Sequence, residues 1–189
     1  MTGIASKSEL RMSFLRYALF TVPAVLLLGM LSGYLANSGY GNAWFDALRK
    51  PGFMPPGWVF GTAWTILYIL LGLSLAMLLH AKGAAKRERA LILFGLGLLL
   101  NFAWSPVFFG CHKVTLALSL LAAMTVCTVA LIFALWRIRL VAALLLYPYL
   151  GWLMFASALT YKVMELNPEA ETLVPGQQTI NIDLSGNTI

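Results

Sequence analysis

Residues suited to acid–base, redox or metal chemistry are few in this sequence, and their spacing assembles no catalytic set. His80 and His112 fall at the ends of apolar runs, where water is expected to reach them. Either imidazole has the chemistry to ligate a haem iron, but no second ligand is spaced to support it. Cys111 lies near a helix end and Cys127 in mid-helix, about 20 Å apart in depth at 1.5 Å per residue, which excludes a disulfide between them. No His, Cys, Asp or Glu spacing suits a metal. Asp46 is the single acid in the stretch Asn42–Tyr68, and a salt bridge to Arg49 or Lys50 is its expected role. There is no phosphate-binding glycine loop, no nucleophile elbow and no series of intramembrane acids. The abundant chemistry is aromatic. NAWFDALRKPGFMPPGWVFGTAWTILY, residues 42–68, carries Trp44, Phe45, Phe53, Trp58, Phe60, Trp64 and Tyr68. Its prolines, Pro51, Pro55 and Pro56, stiffen the segment and forbid one continuous helix through it. A rigid aromatic loop running into an apolar helix is a way to build a lid over a pocket.

The elements that position these rings follow from composition. Of 189 residues, 60% are hydrophobic and 11% charged, with a mean hydropathy of +0.83. A soluble domain carries about 25% charge. Long uncharged runs separate Arg16, Asp46, Lys50, Lys82, Arg89, Lys113, Arg137, Arg139 and Lys162. Five of them have the roughly 20 residues that a membrane-spanning helix needs. The fold class is therefore all-α, an integral membrane bundle of five transmembrane helices. The spans are expected at about 14–36, 57–79, 90–109, 114–136 and 140–165. A basic start covers 1–13, and the five-helix domain covers 14–166. The segment 167–189 is polar and marked by Gly and Pro, which reads as a flexible tail. The connections at 110–113 and 137–139 are so short that the helices they join must be antiparallel neighbours. A net charge of +6 reports topology here and not nucleic acid. Lys7, Arg11, Arg16, Lys82, Lys86, Arg87, Arg89, Arg137 and Arg139 fall on one side of the membrane. Arg49, Lys50, Lys113 and Lys162 fall on the other. The richer side is cytoplasmic by the positive-inside rule.

Helical spacing then selects faces. In the second span Gly57, Gly61, Trp64, Tyr68 and Gly72 share one face, alternating hollows with flat walls. In the third, Asn101, Trp104, Ser105 and Phe108 do so. Asn101, deep in the membrane, needs a partner there, and an interhelical hydrogen bond supplies one role for it. Pro106 leaves the carbonyl of Phe102 without its helical donor. In the fifth span Pro148, Trp152 and Ala156 align. Trp64, Trp104 and Trp152 sit too deep for an interfacial belt, and three aromatic faces suit a flat apolar ligand. Gly29 and Gly33 in the first span have the GxxxG spacing of close helix approach, within one chain or between two; Gly95 and Gly97 are further contact candidates.

Three segments, WFDALRKPGFMPPGWVFGTAWTILY at 44–68, LNFAWSPVFFG at 100–110 and PYLGW at 148–152, resemble the translocator protein family, also called tryptophan-rich sensory proteins or TspO/MBR. The likeness spans about 14–167. It implies a five-helix membrane protein, commonly a homodimer, that binds porphyrins such as protoporphyrin IX and haem. It also implies sterol and benzodiazepine-type ligands, and a link to tetrapyrrole transport, stress sensing or light-dependent porphyrin breakdown. The matching ligand positions are Trp44, Phe45, Trp64, Tyr68, Asn101, Trp104, Trp152 and Ala156. No resident cofactor, metal or catalytic residue is implied. The bilayer is an obligatory partner, and a bacterial inner membrane with a cytoplasmic N-terminus is the expected location. Family members often carry Tyr where Phe45 stands, so this chain lacks that hydroxyl. Leu159 and Tyr161 fit the family's sterol pattern, but Lys162 follows Tyr161 without a spacer. Beside the receptor or transporter reading stand two others: a porphyrin-degrading enzyme using Trp side chains as radical partners, and a structural protein acting through partners.

Overall fold

A computed structural model describes residues 7–174, with side chains from Met12 onward. The start of the basic N-terminal segment and tail residues 175–189 lie outside the described residues. Seven α-helices follow in order: α1 Lys7–Leu35, α2 Ala43–Ala47, α3 Gly57–His80, α4 Arg87–Ser105, α5 Val114–Trp136, α6 Leu140–Leu144 and α7 Tyr147–Leu166. A π-helical turn, Pro106–Gly110, prolongs α4. Among the described residues there is no strand. Five helical stretches are long and apolar enough to cross a membrane: Met12–Leu35, Gly57–His80, Arg87–Gly110, Val114–Trp136 and Leu140–Leu166. The all-α five-span architecture is as the uncharged runs imply.

Side-chain donors bridge the helices of the bundle to backbone carbonyls of their neighbours, two of which a proline or a helix break has freed. In a membrane, satisfying such freed groups is obligatory. Pro106 has no N–H for the Phe102 carbonyl, and Ser32 Oγ of α1 donates to that carbonyl at 2.6 Å. The fifth span breaks at Leu145–Leu146, between α6 and α7, where the sequence pattern gave one continuous helix. There the Leu146 N–H turns to Ala143, and the Ala142 carbonyl instead accepts from Ser74 Oγ of α3 at 2.9 Å. Thr21 Oγ1 of α1 donates to the Gly72 carbonyl of α3 at 2.8 Å. Arg87 reaches back to the Leu78 and Leu79 carbonyls at the end of α3. The short connectors make α4 and α5, and α5 and α7, antiparallel neighbours, while α1 lies along α3.

Two further expectations are corrected by the structure. The segment 37–56 contains a helix, α2, whose N-cap is Asn42: its Oδ1 accepts from the Phe45 N–H at 3.1 Å. Beyond Asn167 the chain does not leave the bundle at once. Asn167 Oδ1 accepts from the Arg49 N–H at 2.8 Å, and its Nδ2 donates to the Arg49 carbonyl at 2.9 Å. Ala170 is buried, and Glu171 pairs with Lys113 at 3.5 Å. Residues 167–171 thus strap the α2 segment to the start of α5.

Candidate functional site

A cavity of about 520 Å³ lies beneath this strapped loop, between the ends of α1, α3, α4 and α7. Each wall has a sequence reason. From α3, Gly61 leaves a hollow, Gly57 makes room for the Tyr40 ring, and Trp64 and Tyr68 one and two turns beyond Gly61 supply rings. A Cβ on Gly61 would meet nothing within 4 Å. From α7, Trp152 and Ala156 repeat the pairing of a wall and a hollow. Trp64 stacks on Tyr68, with ring centroids 5.2 Å apart, and meets Trp152 edge-on at 6.3 Å. Phe60 adds a second edge contact to Trp152 at 6.0 Å. The lid contributes Phe45, its ring 5.6 Å from Tyr40 and 5.2 Å from Phe109. The edge of the cavity between α1 and α3 is formed by Met30 and Tyr34 against Gly57 and Gly61. Tyr34 is exposed there, so this edge faces the lipid side of the bundle.

Six of the eight residues singled out from sequence line this cavity: Phe45, Trp64, Tyr68, Trp104, Trp152 and Ala156. Trp44 and Asn101 do not. Trp44 is fully buried behind the lid: its Nε1 donates to the Ala170 carbonyl at 2.8 Å, and its ring stacks on His112 at 4.5 Å and meets Phe108 edge-on. Asn101 stands one layer behind Tyr68. Tyr68 Oη donates to Asn101 Oδ1 at 3.1 Å, and Asn101 Nδ2 donates to Tyr149 Oη at 3.0 Å. All three side chains are buried. The amide orients Tyr68 from behind, the interhelical hydrogen bond its depth demands. Trp104 stacks on Phe108 at 5.1 Å, and its indole N–H is buried without a partner.

The polar residues near the lid have structural tasks. Asp46 forms no salt bridge with Arg49 or Lys50; its carboxylate accepts the Gly41 N–H at 2.9 Å and closes the turn before α2. Lys50 Nζ donates to the carbonyl of Phe45 at 2.9 Å and lies 4.8 Å from the Phe45 ring centre. It therefore neutralises the carbonyl end of α2 and fixes the lid aromatic. His112, in the left-handed region at φ 57°, packs on Trp44 and is not freely solvated. His80 is packed similarly, with its ring edge-on to Phe14 and Tyr17. Neither histidine lines the cavity, and no group of three potential metal ligands occurs among the described residues. Both cysteines are free. Glu171, which lies outside the spans, accepts from the Thr115 N–H at 2.9 Å, and this bond, with Lys113 beside it, holds that carboxyl below its ordinary range.

Sequence reasoning missed the contribution of α1 and the loop after it: Met30, Tyr34 and Tyr40 also line the cavity. The one available signal was the Gly29–Gly33 spacing, which reads equally well as helix contact. In the structure these two glycines divide. Gly29 lies directly under the Tyr68 ring, and Gly33 faces the cavity. Of the four glycines considered for contact between chains, Gly97 lies near Cys127, and only Gly95 is open on an outward face.

An aromatic cavity covered by a proline-stiffened lid, near one end of five membrane-spanning helices, defines the class: a helical-bundle membrane protein with an apolar internal cavity. Comparison with known proteins supplies its relationships. The sequence profile of the TspO/MBR family matches residues 21–166. The chain is 35% identical to the tryptophan-rich protein TspO of Archaeoglobus fulgidus, over 78% of this chain and 94% of that one. It is 36% identical to the human translocator protein, over 74% of this chain and 84% of that one. It is 34% identical to protein CrtK of Rhodobacter capsulatus, over 67% of this chain and 80% of that one. The chain belongs to the TspO/MBR family and is an integral membrane protein.

Proposed function

We propose that this protein binds a flat, apolar macrocycle, a porphyrin such as protoporphyrin IX or haem, in the cavity beneath the lid, and so serves tetrapyrrole handling or stress sensing as a receptor or transporter. The observation that carries this reading is the wall itself. Trp64, Tyr68, Phe60 and Trp152 touch one another around a space of about 520 Å³, with Gly57, Gly61 and Ala156 between them. That volume is in the range of small-ligand sites, about 300–1,000 Å³, and rings so placed offer stacking and edge contacts to a planar π-system. The buried indole N–H of Trp104 is a donor still without an acceptor. Sterols and benzodiazepine-type molecules are further ligands of matching character. The basic side chains on the α3–α4 connector and at Arg137 and Arg139 support a cytoplasmic position for that end. On this reading the lid faces outward from a bacterial inner membrane. A homodimer would use an outward face such as that of Ile92, Gly95 and Leu99, which are exposed on α4.

The test is porphyrin titration of the purified protein, followed by tryptophan quenching. Ala156→Leu fills the hollow beside Trp152. Overpacking a filled site costs about 1–3 kcal/mol, which charged against binding weakens affinity by about fivefold to over a hundredfold, with the thermal midpoint unchanged. Unaltered affinity in this variant excludes the cavity as the site. The contacts among Trp64, Tyr68 and Trp152 also favour a second reading, in which these oxidisable rings assist light-driven breakdown of the porphyrin by oxygen. New absorption bands that form in air under light, but not anaerobically, would mark it.

A further inference from the structure

At the opposite end of the bundle from the lid, a second recess of about 480 Å³ opens on the outer surface between α5 and α7. We propose that it is a binding site for one anionic phospholipid, with an acyl chain along the groove and the phosphate at Arg137. The groove floor comes from Val129, Ile132, Phe133 and Trp136 of α5, at helical spacings of three, one and three, and it therefore runs along one face for about 10 Å. Leu150 and Tyr147 of α7 form its other side. On that side the span is broken into two helices at Leu145–Leu146, and Pro148 lies in the first turn of α7. Phe133 is 73% exposed and Trp136 51%, so an apolar trough within the span is open to lipid and covered by none of the described residues.

Charge selects the occupant. The trough ends at Arg137, the C-cap of α5, where the span meets water. Arg137 is exposed and forms no salt bridge among the described residues; Arg139, two residues on, is exposed and likewise unpaired. A guanidinium offers a phosphate two parallel donors. Trp136 and Tyr147, edge to face at 6.5 Å, stand beside it at the depth where amphipathic rings meet headgroups. An apolar trough along the membrane normal, a paired aromatic mouth and a free cation at the water boundary match the amphipathic pattern of a phospholipid and its charge. The reading does not depend on which side of the membrane this end faces.

The experiment places the full chain in phosphatidylcholine vesicles holding a matched series of increasing mole fractions of either brominated phosphatidylglycerol or brominated phosphatidylcholine. The bromines sit on acyl carbons near the headgroup. Quenching at Trp136 is isolated by subtracting the same measurement on Trp136→Phe. A basic side chain at the surface is worth about 1 kcal/mol toward anionic lipid, or about fivefold. Trp136 is therefore expected to be quenched by the anionic lipid at about one-fifth the mole fraction that the zwitterionic lipid needs. Arg137→Gln should abolish that preference and Arg137→Lys retain most of it, with the thermal midpoint and porphyrin affinity unchanged in both. Equal quenching by the two lipids in the parent, or a preference that survives Arg137→Gln, overturns the proposal. So does shielding of Trp136 from both lipids, which would mean that a second copy of the chain covers the groove.

Discussion

The contact between α1 and α3 holds glycines of two opposite kinds. Toward the end away from the lid, Gly72 lets the helices touch: a Cβ there would stand 2.6 Å from Val22 Cα and 3.1 Å from the Thr21 carbonyl oxygen. Midway, Gly29 gives its place to the Tyr68 ring. Toward the lid, Gly33, Gly57 and Gly61 line the cavity, and Gly61 has open space where a side chain would go. One residue type, on one helix pair, therefore supplies closure at one end and emptiness at the other. What separates the two is Tyr68, fixed from behind by Asn101, which ends the close contact and begins the wall.

Substitution of these glycines breaks the comparison in graded steps. Gly72→Leu has the largest expected effect, because the obstructing atoms are backbone and cannot rotate away. A loss near 3 kcal/mol, the upper end of overpacking, should appear as a lower midpoint in thermal unfolding. A wild-type midpoint would show that the two helices have room to separate. Gly29→Ala comes next. The obstruction is a side-chain ring, and turning it breaks the Tyr68–Asn101 hydrogen bond, worth about 1 kcal/mol. About 1–2 kcal/mol should be lost, together with porphyrin affinity; loss of neither would contradict the role given to Tyr68. Gly61→Leu should leave stability unchanged or raise it by up to about 1 kcal/mol through helix propensity, while porphyrin affinity falls at least about tenfold. Reduced stability with intact binding would reverse the assignment of that end.

The smallest effect concerns the strap over the cavity. Glu171 titrates below its ordinary value near 4.5, chiefly through the Thr115 N–H and also through Lys113. A carboxyl with a lowered folded-state pKa contributes its stabilisation fully above the ordinary value, and that contribution is lost as pH falls through the lowered one. Strap residues should thus loosen only in that acidic window, which hydrogen exchange at the Thr115 amide would register. Glu171→Gln should flatten the dependence and cost under about 1 kcal/mol, as for an exposed pair.

Much of this was legible in the sequence where the physics is local. Uncharged runs gave five spans, and 114–136 matches α5 to the residue. Pro106 identified Phe102 as a carbonyl in need of a donor, although nothing local pointed to Ser32, seventy positions away. The break at Leu145–Leu146 lay hidden because Pro148 sits in the first turn of α7, where it is tolerated. The helical faces of 57–72 and 148–156 gave Trp64, Tyr68, Trp152 and Ala156 as neighbours of one space. Trp44 was misplaced for a related reason. An aromatic beside a ligand and an aromatic bracing the loop that covers it have the same sequence signature, and only the Ala170 carbonyl on its indole tells them apart. The docking of residues 167–171 was invisible because its bonds run largely to backbone groups, which carry no residue code.

That docking also has a consequence for how the protein is made. The indole of Trp44 finds its acceptor 126 positions later in the chain. At synthesis rates of about 5–20 residues per second, those residues take on the order of ten seconds to appear. The second span and its aromatic face therefore enter the bilayer well before the segment that fastens their cover exists. A product truncated before Ala170 would carry the cavity walls but not the fastening, and its lid would be open to protease at the α2 segment.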